Sequence, residues 1–110
     1  MMVAMNDIQA VVDRIAEAYD PERMVLFGSH ARGTATSDSD VDLLVILVFE
    51  GKPFWKSLEI TNRVNPPFAV DLLARRPDDT RRRYAQGDPL IREALDQGRV
   101  LYERRRARVD

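Results

Sequence analysis

Two apolar runs joined by a short polar segment constrain the fold more than any other feature of this chain. Met24-Val25-Leu26-Phe27 and Val41 to Val48 read as strands, and only 12 residues lie between Phe27 and Asp40. A parallel crossover with a full helix needs about a dozen residues or more, so the two runs are expected to pair antiparallel. The joining segment, GSHARGTATSDSDVDL from Gly28 to Leu43, is crowded with turn formers and acids. Gly28 permits a sharp turn directly after a strand and the close approach of a ligand. Ser29 is placed to cap a short helix and to offer a hydroxyl to a phosphate, and amides at a helix start attract phosphate oxygens. Side chains alternate along a strand, so Asp40 and Asp42 are expected on one face. Two hard oxygen ligands converging there suit Mg²⁺.

A third acid stands where a strand has no use for one. Pro67 to Ala74 reads as an apolar strand with Asp71 in its middle, and burying an unpaired carboxylate costs several kcal/mol, so something positive is expected to face Asp71. If this strand lies beside the one bearing Asp40 and Asp42, three carboxylates crowd together and a divalent cation relieves the repulsion. Ser-Asp clusters between strands are commonly plain solvated turns, which suffices for Asp38 to Asp40 taken alone. It does not suffice for Asp42, inside an apolar run, or for Asp71, which repeats the anomaly. Arg32 has two readings, a phosphate contact or an ion pair with Asp38 or a neighbouring acid. His30, the only histidine, is read as exposed loop.

The rest of the chain reads as mixed α/β. Asn6-Asp7-Ile8-Gln9 resembles a capping box, and Ile8, Val11, Val12, Ile15 and Tyr19 share one helical face before Pro21. Phe54 to about Val64 is expected to be helical, with Trp55, Leu58 and Ile60 only loosely periodic. Asn65-Pro66-Pro67 breaks the chain before the Asp71 strand, and Asp78-Asp79 opens a short helix. Asp88-Pro89 to Gly98 carries an N-cap, Pro at the first helical position and a terminal Gly. Val100 to Tyr102 is expected as a short edge strand.

Composition narrows the classes. At 110 residues, 45% hydrophobic and 32% charged, the chain is expected to make one domain, residues 1–103, with no room for a second, substrate-reading one. The Arg-rich tail, 104–110, has the composition of a disordered end. Cysteine is absent, which excludes disulfides and thiolate zinc sites. The first residues do not resemble a signal peptide and no apolar run is long enough to cross a bilayer, so a cytoplasmic location is expected. The net charge of −1 conceals an asymmetry: residues 1–73 hold 6 Lys+Arg against 11 Asp+Glu, a balance of −5, and residues 74–110 hold 11 against 7, a balance of +4. The basic half could attract phosphate or an acidic partner. A solvated helix face with a frayed terminus explains the arginines almost as well, and without interleaved aromatics nucleic-acid binding is disfavoured.

Taken together, the G-S, the D-x-D that follows after ten intervening residues, the ARG and SD around them and the lone Asp71 resemble the minimal nucleotidyltransferases of the DNA polymerase beta-like superfamily. The ending from Pro89 to Glu103 is also similar to the way many of these small proteins close. The resemblance covers nearly the whole chain and implies an α/β (α+β) fold, a small mixed β-sheet with helices packed on one face and the acids at an open side. It implies that Gly28 and Ser29, with Arg32 as a further candidate, hold the phosphates of ATP. Asp40, Asp42 and Asp71 would be both the catalytic and the metal-binding residues, around two Mg²⁺ ions. It further implies transfer of AMP to a hydroxyl, with a tyrosine of a HEPN-domain toxin as the leading acceptor and the chain acting as its antitoxin. Two alternatives stay open: a non-catalytic antitoxin that neutralises its partner by occlusion, and nucleotidyl transfer to RNA or a small molecule.

Overall fold

The computed structural model describes residues 2–105. Helix α1, Met5–Tyr19, leads into strand β1, Arg23–Phe27. A single helical turn, α2, Ser29–Arg32, precedes β2, Val41–Ile46, and helix α3, Pro53–Val64, precedes β3, Val70–Arg75. Helices α4, Pro77–Ala85, and α5, Pro89–Gln97, are followed by β4, Arg99–Glu103. The sheet order is β3-β2-β1-β4. β1 pairs antiparallel with β2, as the short connection requires, and with β4, whereas β2 and β3 run parallel in register from Val41↔Val70 to Ile46↔Arg75.

The two faces of the sheet bury different residues because side chains alternate along each strand. Met24, Leu26, Val41, Leu43, Val45, Leu72 and Ala74 point to one face, where Ile8, Val11, Val12 and Ile15 of α1 and Ile60 and Val64 of α3 close over them. Each of these large side chains contributes roughly 1.5–3 kcal/mol by leaving water. On the other face Val25, Phe27, Leu44 and Ile46 meet Ile91 and Ala94 of α5, with Leu73, Tyr84 and Leu95 at the margin. The mixed sheet and fold class are as the sequence implied, but helices cover both faces rather than one. Val25, Phe27, Leu44 and Ile46 are apolar as well, so this second face needs its own cover.

Several boundaries differ from expectation for local reasons. Helix α1 starts one residue before Asn6, and it is Asp7 at its third position whose carboxylate accepts from the Ala4 N–H at 3.2 Å. Strand β2 stops at Ile46, and Val48 is 82% exposed. α3 turns only Ile60 and Val64 into the core, leaving Phe54, Trp55 and Leu58 on the surface. α5 matches its sequence signals: the Asp88 carboxylate accepts from the N–H groups of Leu90 and Ile91 at 3.0 and 3.2 Å, and Pro89 follows it. Gly98 is needed for space, since a Cβ there would lie 2.2 Å from the Ala94 carbonyl oxygen and 2.5 Å from Val25 Cγ1. Arg104, assigned by sequence to the tail, donates its N–H to the Glu22 carbonyl at 2.9 Å; residues 106–110 of that tail lie outside the described residues.

Candidate active site

β1 delivers the chain to Gly28, whose φ of 75° and ψ of −155° belong to a region only glycine occupies without strain. Phe27 is the cross-strand partner of Asp42, and this register brings the Asp42 side chain over the Gly28 α-carbon. A Cβ on Gly28 would lie 2.2 Å from Asp42 Oδ2. The glycine therefore serves two needs at once, a backbone turn and a seat for a carboxylate.

Asp42 is also the in-register partner of Asp71. Neighbouring strands lie about 4.8 Å apart, and both residues have the parity of the α5 face, alternating with Leu43 and Leu72, which are buried on the other side. The two acids thus leave adjacent strands toward the same layer, beyond the part of it that α5 covers. Asp40, exposed, stands just before β2. The turn preceding it is held by Ser39, whose hydroxyl accepts from the Thr36 N–H at 2.8 Å and whose carbonyl lies 3.3 Å from His30 Nε2.

Partial burial pushes the Asp42 carboxyl above the ordinary carboxylate range, and the negative charges of Asp71, Asp40 and Glu93 push the same way, with His30 opposing them. The ionised Asp42 is therefore disfavoured both by burial and by its acidic neighbours, and a cation placed there would relieve it. Among the described residues, no three acids or histidines converge closely enough in this arrangement to hold an ion. The donor set is nonetheless all carboxylate oxygen, the chemistry of a hard divalent cation.

Some sequence readings change on contact with the structure. Asp71 is exposed rather than buried: β3 is an edge strand, so water replaces the positive partner that burial would have demanded. Ser29 is the first residue of α2 and Gly28 takes the cap position, with no side-chain cap bond. His30 is half-buried within α2 rather than exposed loop. Arg32 makes an ion pair, but with Glu93 on α5, Nη1 to Oε2 at 3.1 Å, rather than with Asp38. Glu93 is the site residue that sequence reasoning missed. Nothing in the spacing of α5 links it to Gly28 or Asp42; only the packing of α5 on β1 brings it there.

Much of the basic cluster is engaged internally. Arg76 donates to the Phe49 and Gly51 carbonyls, Arg82 and Arg83 pair with Asp79, and Arg83 also reaches Asp88 at 3.4 Å. These contacts fit the solvated-face reading of the arginines. A groove of about 450 Å³ runs along the outer edge of β3, lined by Phe54, Leu58 and Thr61 of α3, by Asp71 and Leu73, and by Arg83 of α4. Asp71 thus borders both the acidic site and this groove. Among the described residues no helix is long and apolar enough to cross a membrane.

The sequence profile of the family described as nucleotidyltransferase domain matches residues 8–102. The fold is similar to that of a candidate nucleotidyltransferase from Sulfolobus solfataricus, with a TM-score of 0.62, 19% identity, and coverage of 90% of this chain and 79% of that one. It is also similar to a chain of a toxin-antitoxin crystal structure with AMP-PNP, at 0.57 and 19% identity over 86% of this chain and 73% of that one. A third likeness is to a mutant of the toxin-antitoxin MntA-HpeT carrying two Asp-to-Glu replacements two positions apart, at 0.54 and 15% identity over 86% and 72%. Among curated proteins none matches the chain.

Proposed function

The chain belongs to the nucleotidyltransferase domain family, and on that premise we propose that it transfers AMP from ATP to a hydroxyl of a protein acceptor, a tyrosine of a HEPN-type toxin, acting as the antitoxin in the cytoplasm. One observation carries this reading: Asp42 and Asp71 are cross-strand partners on one face, with Asp42 seated on Gly28. The resemblance requires that juxtaposition. Two structural neighbours add support, since one is a toxin-antitoxin with AMP-PNP and the other carries a double Asp-to-Glu mutation with the spacing of Asp40 and Asp42.

Asp40, Asp42 and Asp71 would hold two Mg²⁺ ions, which when bound neutralise triphosphate charge and stabilise the attacking and leaving oxygens of an in-line displacement. The Gly28 main chain and the Ser29 hydroxyl would hold the β- and γ-phosphates. Asp71, at the mouth of the groove, would accept the proton as the acceptor oxygen attacks the α-phosphorus. A new phosphodiester bond forms, the α–β phosphoanhydride bond breaks and pyrophosphate leaves.

The test uses labelled ATP, Mg²⁺ and a co-expressed HEPN partner. The expected result is label on a partner tyrosine with the wild type and none with Asp42→Ala. Equal labelling by both proteins, or none by either, overturns the enzymatic reading. If the Asp40→Asn, Asp42→Asn double variant still protects cells from the toxin, neutralisation is by occlusion.

A further inference from the structure

We propose that the open edge of β3 is a docking site for an extended segment of a partner protein, which joins the sheet as a fifth strand and carries a hydroxyl side chain to Asp71. The assignment of that hydroxyl as acceptor rests on the function proposed above; the docking does not.

β3 ends the sheet, and its main-chain groups alternate between β2 and the outside. The carbonyls of Ala69 and Arg75 accept from the N–H groups of Val41 and Leu47, both at 3.0 Å, so odd-numbered residues face β2. The Ala74 N–H points outward instead, where Ser57 Oγ of α3 accepts it at 2.9 Å. The same parity turns the N–H and C=O groups of Val70 and Leu72 outward. Ser57 thus closes one end of the edge, and the stretch from Val70 to Leu73 is open. Natural edge strands are commonly blunted by charged side chains, Pro or a bulge; this stretch has no Pro or bulge, and its one charged side chain is Asp71.

The walls of the groove describe the occupant. On the α3 side stand Phe54 and Leu58, 67% and 41% exposed, and Trp55, 63% exposed, packs edge-to-face on Phe54 with ring centroids 5.0 Å apart. Exposed apolar side chains of this kind beside an open strand edge suit a peptide whose alternate side chains are apolar. Arg75 lies in the same groove and, among the described residues, has no acidic partner; its Nη1 donates to its own neighbour's carbonyl, Ala74 O, at 2.8 Å. The guest strand is therefore acidic at the end that lies beside Arg75. The guest residue opposite Asp71 projects to the same face, with Cβ atoms about 5 Å apart. That is where a tyrosine, serine or threonine hydroxyl would meet the carboxylate.

The experiment selects peptides of about nine residues with a fixed central tyrosine from a displayed library, using the wild-type protein without nucleotide. Binding of the selected peptide is followed by the emission of Trp55, the only tryptophan, and by amide exchange. The expected result is exchange slowed about tenfold or more at Val70 and Leu72, with Asp71 and Leu73, already bonded to β2, changing little. Leu58→Arg, or Phe54→Arg if the first variant folds poorly, should weaken the peptide about tenfold, roughly 1.4 kcal/mol, and leave binding of Mg²⁺ and AMP-PNP unchanged. Failure to select any peptide, protection lying elsewhere, retained affinity in the arginine variants, or an oligouridylate producing the Trp55 change in place of the peptide each overturns the proposal. Peptide docking without AMP-PNP binding would instead refute the transferase reading and leave the docking edge standing.

Discussion

Gly28→Ala is the sharpest probe of the site, because steric and functional consequences are separable. The backbone at Gly28, φ 75° and ψ −155°, is closed to other residues, a strain of about 1–3 kcal/mol. The new Cβ would also lie 2.2 Å from Asp42 Oδ2 and 3.1 Å from its Cγ. Asp42 is fixed to the ladder by its pairing with Phe27 and Asp71, so the carboxylate must rotate away, at a further cost of about 0.5–1.5 kcal/mol if it leaves its rotamer well. The sum, about 1.5–4.5 kcal/mol, corresponds to a fall in Tm of roughly 5 °C or more for a domain of this size. Gly33→Ala is the control. Its φ of 77° is also positive, but nothing lies within 4 Å of a Cβ there, so only the left-handed strain of about 1–2 kcal/mol applies. Transfer of labelled AMP, measured well below both melting temperatures, should drop about a hundredfold in Gly28→Ala, as for a catalytic group displaced by an ångström. It should survive in Gly33→Ala. Equal transfer by the two folded variants would refute the claim that Gly28 seats Asp42.

Asp42 has a raised pKa in the folded state, so its ionised form disfavours folding. That destabilisation is absent below the ordinary carboxylate range and grows as pH rises through the folded-state pKa. Asp42→Asn should therefore melt at a higher temperature than wild type at pH 7, with the gain fading on acidification toward the ordinary range; differential scanning calorimetry across pH checks this, and a constant difference refutes it. Mg²⁺ should raise the Tm of the wild type more than that of Asp42→Asn, since only binding to the folded state stabilises. Glu93→Gln should lower the Asp42 pKa, read by carbonyl NMR titration, while changing Tm little, because the Arg32–Glu93 pair is largely exposed and such pairs contribute about 0–1 kcal/mol. Gly98→Ala should cost about 1–3 kcal/mol in denaturant unfolding, since a Cβ there meets two backbone carbonyls and Val25.

The strands, the antiparallel β1–β2 pair and the caps of α5 were legible because each depends on local signals: apolar runs, a connection too short for a crossover, and Asp-Pro at a helix start. The parallel pairing of β2 with β3 was open, since no periodicity specifies a neighbour, and the proximity of Asp71 to Asp42 depended on it. The error about Asp71 has a definite cause. An acid in an apolar run reads as buried, but the Val70–Arg75 strand lies at the edge and leaves Asp71 exposed, with Leu73 and Arg75 half-buried on the same face. A similar limit hid Glu93, whose relation to Arg32 spans 61 residues and arises only when α5 packs across β1.

These two misreadings bear on each other. Had Asp71 been buried against a basic partner, the negative potential at Asp42 would be cancelled within the protein and no cation would be needed there. As folded, Arg32 is engaged by Glu93, and Glu93 adds its own repulsion at Asp42, where His30 opposes it. The fold thus leaves its carboxylates only partly compensated, beside a face that α5 covers. A purely structural site would be selected to relieve that repulsion, whereas a site that recruits cations together with a triphosphate has reason to retain it. Under the proposed function the exposure of Asp71 has the same logic, since an acid that takes the proton of an incoming hydroxyl cannot be enclosed by its own chain.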